Sequence, residues 1–197
     1  MASKPRRILI LDGHPDGGGR RFVHALAEAY AQGAREAGHD VRTLAIGQLD
    51  IPLLRKGEDF QAGTPSREVR RWQEAIGWAG HLVVLYPLWL GDMPAVLKAF
   101  FEQVLRPGFA FAASGETRLP KKLLTGRSAR VIVTMGMPAL FYRWYYRAHS
   151  LKNLERNILA FSGFAPIRST VVGTVDGKAA SRTAWLEKVR HLGRRAV

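Results

Sequence analysis

The chain of 197 residues contains no cysteine. Disulfides, thiolate nucleophiles and cysteine-ligated metal or iron–sulfur centres are therefore excluded, and cysteine usage is silent on redox compartment. Acidic residues are scarce: 16 Asp and Glu stand against 30 Lys and Arg, a formal net charge of +14. That balance favours anionic partners, whether a nucleotide cofactor, nucleic acid or an acidic membrane surface. The cations are nevertheless spread along the chain. Lys4, Arg6 and Arg7 near the start and Arg190, Arg194 and Arg195 near the end come closest to clusters. No nucleic-acid motif accompanies them, so no nucleic-acid partner is expected; a basic solvated surface and attraction to an acidic membrane surface both stay open. Long apolar runs are missing too. Ile8-Leu9-Ile10-Leu11 is too short for a signal-peptide core, and no stretch could span a bilayer. The expectation is a cytoplasmic protein, with peripheral contact at the inner face of the membrane as the variant. No H-E-x-x-H, Walker or G-x-S-x-G pattern occurs, and Asp12, Asp16, Asp92 and Glu102 are not spaced for acid–base work or a metal. No metal site is expected.

What is present is 47% hydrophobic residues arranged in a strand–helix rhythm from end to end. Short apolar runs at Arg7–Leu11, Val41–Ile46, His81–Leu85, Ala129–Thr134 and Ile167–Val172 read as five strands. Helical patterns lie between them: Arg21–Ala37 ended by Gly38, Ser66–Trp78, a segment from Pro94 to Arg106, Ser150–Phe161 and Ala179–Leu192. Gln48–Thr64 reads as irregular and Phe109–Ser128 as a loop excursion. Alternation of this kind predicts one α/β domain over residues 1–197, a parallel sheet with helices on both faces.

The most informative run is Tyr86-Pro87-Leu88-Trp89-Leu90-Gly91-Asp92-Met93-Pro94-Ala95-Val96-Leu97-Lys98-Ala99-Phe100-Phe101. It leaves an apolar strand and enters a helix. In an open α/β sheet the loop at a strand's carboxyl end is where ligands bind, and one carrying Trp89 among apolar neighbours suits a flat aromatic ligand. The segment resembles the flavin-cradling loop of flavodoxin-like NAD(P)H:quinone oxidoreductases. That family includes DT-diaphorase-type enzymes, modulator-of-drug-activity reductases and ancillary oxidoreductase subunits of potassium efflux systems. The resemblance rests on Pro87-Leu88-Trp89, on Pro94-Ala95-x-Leu97-Lys98-x-Phe100 through Val104, and on Gly108-Phe109-Ala110-Phe111. It runs from the first strand to about Gly177. It implies a three-layer flavodoxin-like fold with a five-stranded parallel sheet of order 2-1-3-4-5 and a crevice between strands 1 and 3. It also implies FMN or FAD as cofactor, NADH or NADPH as reductant, a quinone-like acceptor and a homodimer.

Two further segments would complete such a site. Asp12-Gly13-His14-Pro15-Asp16-Gly17-Gly18-Gly19-Arg20-Arg21-Phe22 puts glycines before a helix, where backbone N–H groups and the helix dipole favour a phosphate. His14, Gly18, Gly19, Arg20, Arg21 and Phe22 are the expected cofactor contacts here. The family's Ser and Asn flanking the Phe are Arg21 and Val23, and the turn is about two residues longer. Pro87, Leu88, Trp89 and Leu90 form the second set, and Thr134, Met135, Gly136 and Met137 the third, where the family carries Thr-Thr-Gly-Gly. Tyr142 and His149 are the candidate proton donors to a reduced acceptor, His149 lying one residue from the family's spacing.

Phe141–Arg147 interleaves aromatics with arginines. It reads as a pocket wall, a dimer interface or a membrane-interface contact. The family's site is built across a homodimer, which would make pocket and interface one surface. Two other readings stand beside the enzyme: a regulatory subunit docking on a membrane transporter or acidic partner, and a flavodoxin-fold chain that has lost its flavin.

Overall fold

The computed structural model describes residues 4–112 and 120–197. Its elements, in chain order, are β1 (Arg7–Asp12), α1 (Phe22–Glu36), β2 (Asp40–Ala45), α2 (Gly57–Gln61), α3 (Arg67–Trp78), β3 (His81–Pro87), α4 (Ala95–Val104), β4 (Phe111–Ala112), β5 (Lys121–Lys122), β6 (Ser128–Thr134), α5 (Ala139–Trp144), α6 (His149–Asn153), β7 (Ile167–Val172) and α7 (Ala179–Arg195). The main sheet has the order β2-β1-β3-β6-β7 and every pairing in it is parallel. Counting only its own strands, this is the 2-1-3-4-5 order of the flavodoxin-like fold.

The strands are apolar on successive residues because both faces of the sheet are covered. On one face Ile8, Ile10, Val83, Leu85 and Ile132 pack against Leu26 and Tyr30 of α1 and Val189 of α7. On the other, Leu9, Leu11, Leu82, Val84, Tyr86, Val131 and Val133 meet Val69, Trp72 and Ile76 of α3, Leu97 and Phe100 of α4, and Leu154. Each buried side chain of this kind stabilises the fold by roughly 1.5–3 kcal/mol. Helices α1 and α7 cross closely, since a methyl on Gly33 would strike the carbonyl of Arg190 and one on Gly193 that of Tyr30. Ser66 caps α3, its hydroxyl accepting from the Val69 N–H at 3.2 Å.

Four local readings change. Gln48–Thr64 is not wholly irregular, since α2 forms within it, with Glu58 and Asp59 in its first turn. The excursion after Phe109 contains a small antiparallel pair, Phe111 opposite Lys122; its central residues, 113–119, lie outside the described part. The segment Phe141–Arg147 begins as a helix, α5, on which sequence periodicity was too brief to register. The helix expected over Ser150–Phe161 starts at His149 and runs through π-type turns over Leu154–Ala160.

The amino end of the sheet holds a buried polar relay. His81 is 1% exposed; the Tyr30 hydroxyl lies 3.0 Å from its Nε2 and the Ser128 hydroxyl 2.8 Å from its Nδ1. Burial, with Arg6 and Arg130 adding repulsion, pushes this imidazole down to about 3 from 6.5. The folded protein therefore keeps His81 neutral where the unfolded chain would protonate it. Stability is fully present above pH 6.5 and is lost as pH falls from there towards the folded value. Between pH 6 and pH 4 the free energy of urea unfolding should fall by about 2 kcal/mol more in the wild type than in His81→Gln. Glutamine can bridge the same two hydroxyls without titrating. Parallel pH profiles for the two proteins would refute this.

Candidate functional site

The carboxyl ends of β1, β3 and β6 lie side by side, and the loops leaving them build one crevice. The ladder between β1 and β3 does not stop with the strands: the N–H of Gly13 donates to the Leu85 carbonyl at 2.7 Å. Across the next pair, the N–H of Leu88 donates to the carbonyl of Thr134 at 2.7 Å. These bonds carry sheet geometry one residue into each loop and fix where the three loops start.

The loop after β1 is held by its own side chains. The Asp16 carboxylate accepts from the N–H groups of Gly18 and Gly19 at 3.2 and 3.0 Å, and from Arg21 Nε and an Arg21 terminal nitrogen at 2.9 and 2.8 Å. Those donors hold Asp16 below the usual carboxylate range, the Arg21 side chain foremost. His24, in the first turn of α1, has Nδ1 2.5 Å from the Asp12 carboxylate and Nε2 2.8 Å from the Asp16 carbonyl. The ring thereby bridges the end of β1 to the backbone of the loop that follows it. His14 accepts from the Asp16 N–H through Nδ1 at 3.0 Å, and burial, reinforced by His24, pulls its imidazole below the ordinary value. Backbone crowding also pins this loop. A methyl on Gly47 would strike the Pro15 carbonyl, whereas one on Gly18 would meet nothing.

No side chain caps α1, and no acidic residue sits in its first turn. Its unpaired N–H groups and dipole therefore stay available to an anion. Gly19, Arg20, Arg21, Phe22 and His24 line a broad cavity of about 810 Å³ beside that terminus, with Arg182 on its far wall.

The β3–α4 loop forms a tight turn in which Trp89 and Asp92 exchange backbone bonds at 2.9 and 3.0 Å. Leu90 and Gly91 at its tip have φ of +46° and +82°, and Leu90 is wholly exposed. A left-handed leucine gains no burial here, so the loop carries strain at the mouth of the crevice. Trp89 is half exposed and meets His14 edge-on at 5.8 Å.

Beyond that turn is a cavity of about 350 Å³ lined by Leu88, Leu90, Met137, Tyr142, Tyr146 and His149, together with Gly91 and Ser150. The structure thus brings both candidate proton donors to one wall. They differ in state. Tyr142 is 2% exposed, and its hydroxyl lies 2.9 Å from that of Ser150 while accepting from the Leu151 N–H at 3.3 Å. His149 is exposed. Along α5 and at its end, Leu140, Trp144 and Tyr145 are strongly exposed, the Phe141 and Tyr145 rings stack at 5.1 Å, and Tyr145 meets the cavity-lining Tyr146 edge-on at 5.0 Å.

Of the expected cofactor contacts, His14 is buried, Pro87 is half-buried, and Gly18, Gly136 and Met137 have solvent-accessible surface at the crevice end. Thr134 is buried, with its carbonyl used by Leu88. Met135 is turned into the core, its N–H donating to the Val172 carbonyl and its own carbonyl accepting from Val175. Both its backbone groups are therefore taken by the protein. Sequence reading passed over Asp16, His24 and Ser150. The signal for Asp16 was an aspartate two and three residues before glycines, the spacing of a side chain that closes its own turn. Among the described residues, no group of three or more His, Asp or Glu could hold a metal.

A five-stranded parallel sheet with its ligand crevice between the first and third strands defines a flavodoxin-like α/β protein. The chain belongs to the family with the flavodoxin-like fold, whose model matches residues 6–194. It is 29% identical to an FMN-dependent NADH:quinone oxidoreductase of Nitratidesulfovibrio vulgaris strain DP4, over 94% of this chain and 97% of that one. It is 25% identical to the glutathione-regulated potassium-efflux system ancillary protein KefG of Salmonella newport, over 72% of this chain and 65% of the relative. Among solved structures it resembles an NAD(P)H:quinone oxidoreductase from Methanothermobacter marburgensis, with 25% identity, a TM-score of 0.81 and coverage of 98% and 97%.

Three substitutions test the loop architecture. Gly47→Ala should lower unfolding free energy by about 1–3 kcal/mol, while Gly18→Ala should stay within about 0.5 kcal/mol of the wild type. Denaturant melts of the pair read this directly, and equal effects would show that Gly47 does not pin the loop. Leu90→Gly should raise stability by up to about 1 kcal/mol by relieving the left-handed backbone. A lowered melting temperature would count against strain at the turn.

Proposed function

We propose that the protein is a flavin-dependent oxidoreductase that passes a hydride from a nicotinamide nucleotide to a quinone or a similar acceptor. The observation that carries this reading is the convergence of three loops on one crevice: an uncapped helix start flanked by arginines on one side, an apolar cavity with a histidine on the other. The names of the relatives support FMN as the flavin and NADH as the donor. The residues present fit a flavin phosphate, because α1 has free first-turn donors and Arg20 and Arg21 are exposed beside them. They fit its ring system as well, since Leu88, Trp89 and Met137 offer apolar surface and Gly136 lets backbone come close.

When bound, a flavin supplies two-electron hydride chemistry. The chain's own residues do the rest. Arg20, Arg21 and the start of α1 anchor the phosphate. Leu88, Leu90 and Met137 exclude water from the cavity that nicotinamide and acceptor use in turn, which predicts ping-pong kinetics. Reduction of a quinone leaves negative charge on its oxygen, and a donor must meet it. His149, exposed on the cavity wall, is the residue we assign to proton donation. The Tyr142–Ser150 pair shapes the wall beside it, with Ser150 as a further hydrogen-bond donor. The exposed apolar Leu140, Trp144 and Tyr145, beside the cavity-lining Tyr146, support a second copy of the chain as the far wall, in keeping with the expected homodimer.

The test is stopped-flow and steady-state oxidation of NADH and NADPH by FMN-loaded protein with several quinones. Acceptor-dependent turnover is expected. His149→Ala should reduce it on the order of a hundredfold without releasing flavin, and Tyr142→Phe should reduce it less. No acceptor-dependent oxidation with any quinone would reject the reading.

A further inference from the structure

Part of the donor set beside the free start of α1 is already engaged: the Gly18 and Gly19 amides and one edge of Arg21. One carboxylate, that of Asp16, takes two glycine N–H groups through Oδ1 and the Nε and one terminal nitrogen along one edge of the Arg21 guanidinium through Oδ2. Backbone amides of a glycine turn plus a guanidinium fork are the donor set that recognises a phosphate monoester. We propose that Asp16 is an internal competitor for the flavin phosphate: the free loop is closed on its own carboxylate, and a phosphate enters by displacing it from Gly18, Gly19 and Arg21. This rests on the flavin reading given above.

Three features support displacement rather than permanent closure. The Asp16 and Arg21 side chains are 39% and 55% exposed, so their ion pair is one that solvent screens and that opens readily. The turn does not depend on the carboxylate alone, because His24 holds the Asp16 carbonyl from α1 and Gln48 donates to the Gly17 carbonyl at 2.7 Å. The loop would keep its path while the side chain swings out. Finally, a monoester dianion carries about twice the charge of the carboxylate it replaces, so it wins the same donors. Asp16 would thereby set a threshold. A doubly charged phosphate opens the loop, whereas ligands with a single negative charge meet an anion of equal strength already in place.

The variant Asp16→Asn keeps a side-chain oxygen for the Gly18 and Gly19 amides and removes the charge. Flavin-fluorescence titrations would compare FMN with riboflavin, which lacks the phosphate, on wild type and variant. The proposal expects FMN to bind about tenfold more tightly to the variant while riboflavin affinity stays the same. Asp16→Ser, which can close a similar turn, should show the same pattern, and unchanged riboflavin binding reports an intact crevice in either variant. FMN affinity equal to or weaker than wild type in both variants overturns the proposal and makes Asp16 a builder of the turn only. If wild type and variants bind neither flavin, the flavin reading itself falls and takes this inference with it.

Discussion

The parallel ladder between β1 and β3 is the constraint on which the rest of the site depends. Its register sets Leu11 beside Val84 and Asp12 beside Leu85, and the bond from Gly13 to Leu85 extends it past the strands. Both loops therefore leave the sheet at the same height. The anion-binding turn and the Trp89 turn face one crevice as a result of backbone hydrogen bonding, before any side chain is considered. Apolar side chains bury that ladder on both faces, Ile8, Ile10, Val83 and Leu85 against one helical layer and Leu9, Leu11, Leu82 and Val84 against the other.

Much of this was legible in the chain. Five apolar runs of strand length separated by helical patterns give the sheet, and the long matched run from Tyr86 to Phe101 gives the family. Ser66 announced its helix, because a capping hydroxyl acts within three residues of itself. What stayed illegible depends on distant partners. Helix α5 is six residues long and opens after Pro138, too brief for a periodic signal. The inward turn of Met135 follows from the pleat of β6, which continues one residue beyond the strand and gives its backbone to Val172 and Val175. His24 looked like an ordinary helix residue; it matters because Asp12, half a loop earlier, ends its strand at the point where an imidazole from α1 can reach it.

Electrostatically, the site differs from the surface around it. The chain carries +14, yet at the crevice end Arg21 is paired with Asp16, and the Asp12 carboxylate beside it is hydrogen-bonded to the His24 ring. Charge that would otherwise repel itself across a few ångströms of loop is balanced in place, and the Asp12 carboxylate is buried with both oxygens in use, by the His14 N–H and by His24. Arg20 and Arg182 at the cavity, with the remaining excess positive charge on the solvated surface, can attract nucleotides from a distance.

The two ends of the crevice are held in different ways. The anchor side grows out of the central ladder and leans on the closely crossed α1 and α7. Opposite the β3–α4 turn, the cavity side is residues 137–150, tied to the loop after β7 by the bond from the Thr174 N–H to the Met137 carbonyl and internally by Tyr142 through Ser150 and Leu151. Its outward side chains, Leu140, Trp144 and Tyr145, support no core. Such a division makes the molecule modular: an evolving lineage, or a combinatorial library, can rewrite that segment to suit a new acceptor while the nucleotide anchor is inherited intact.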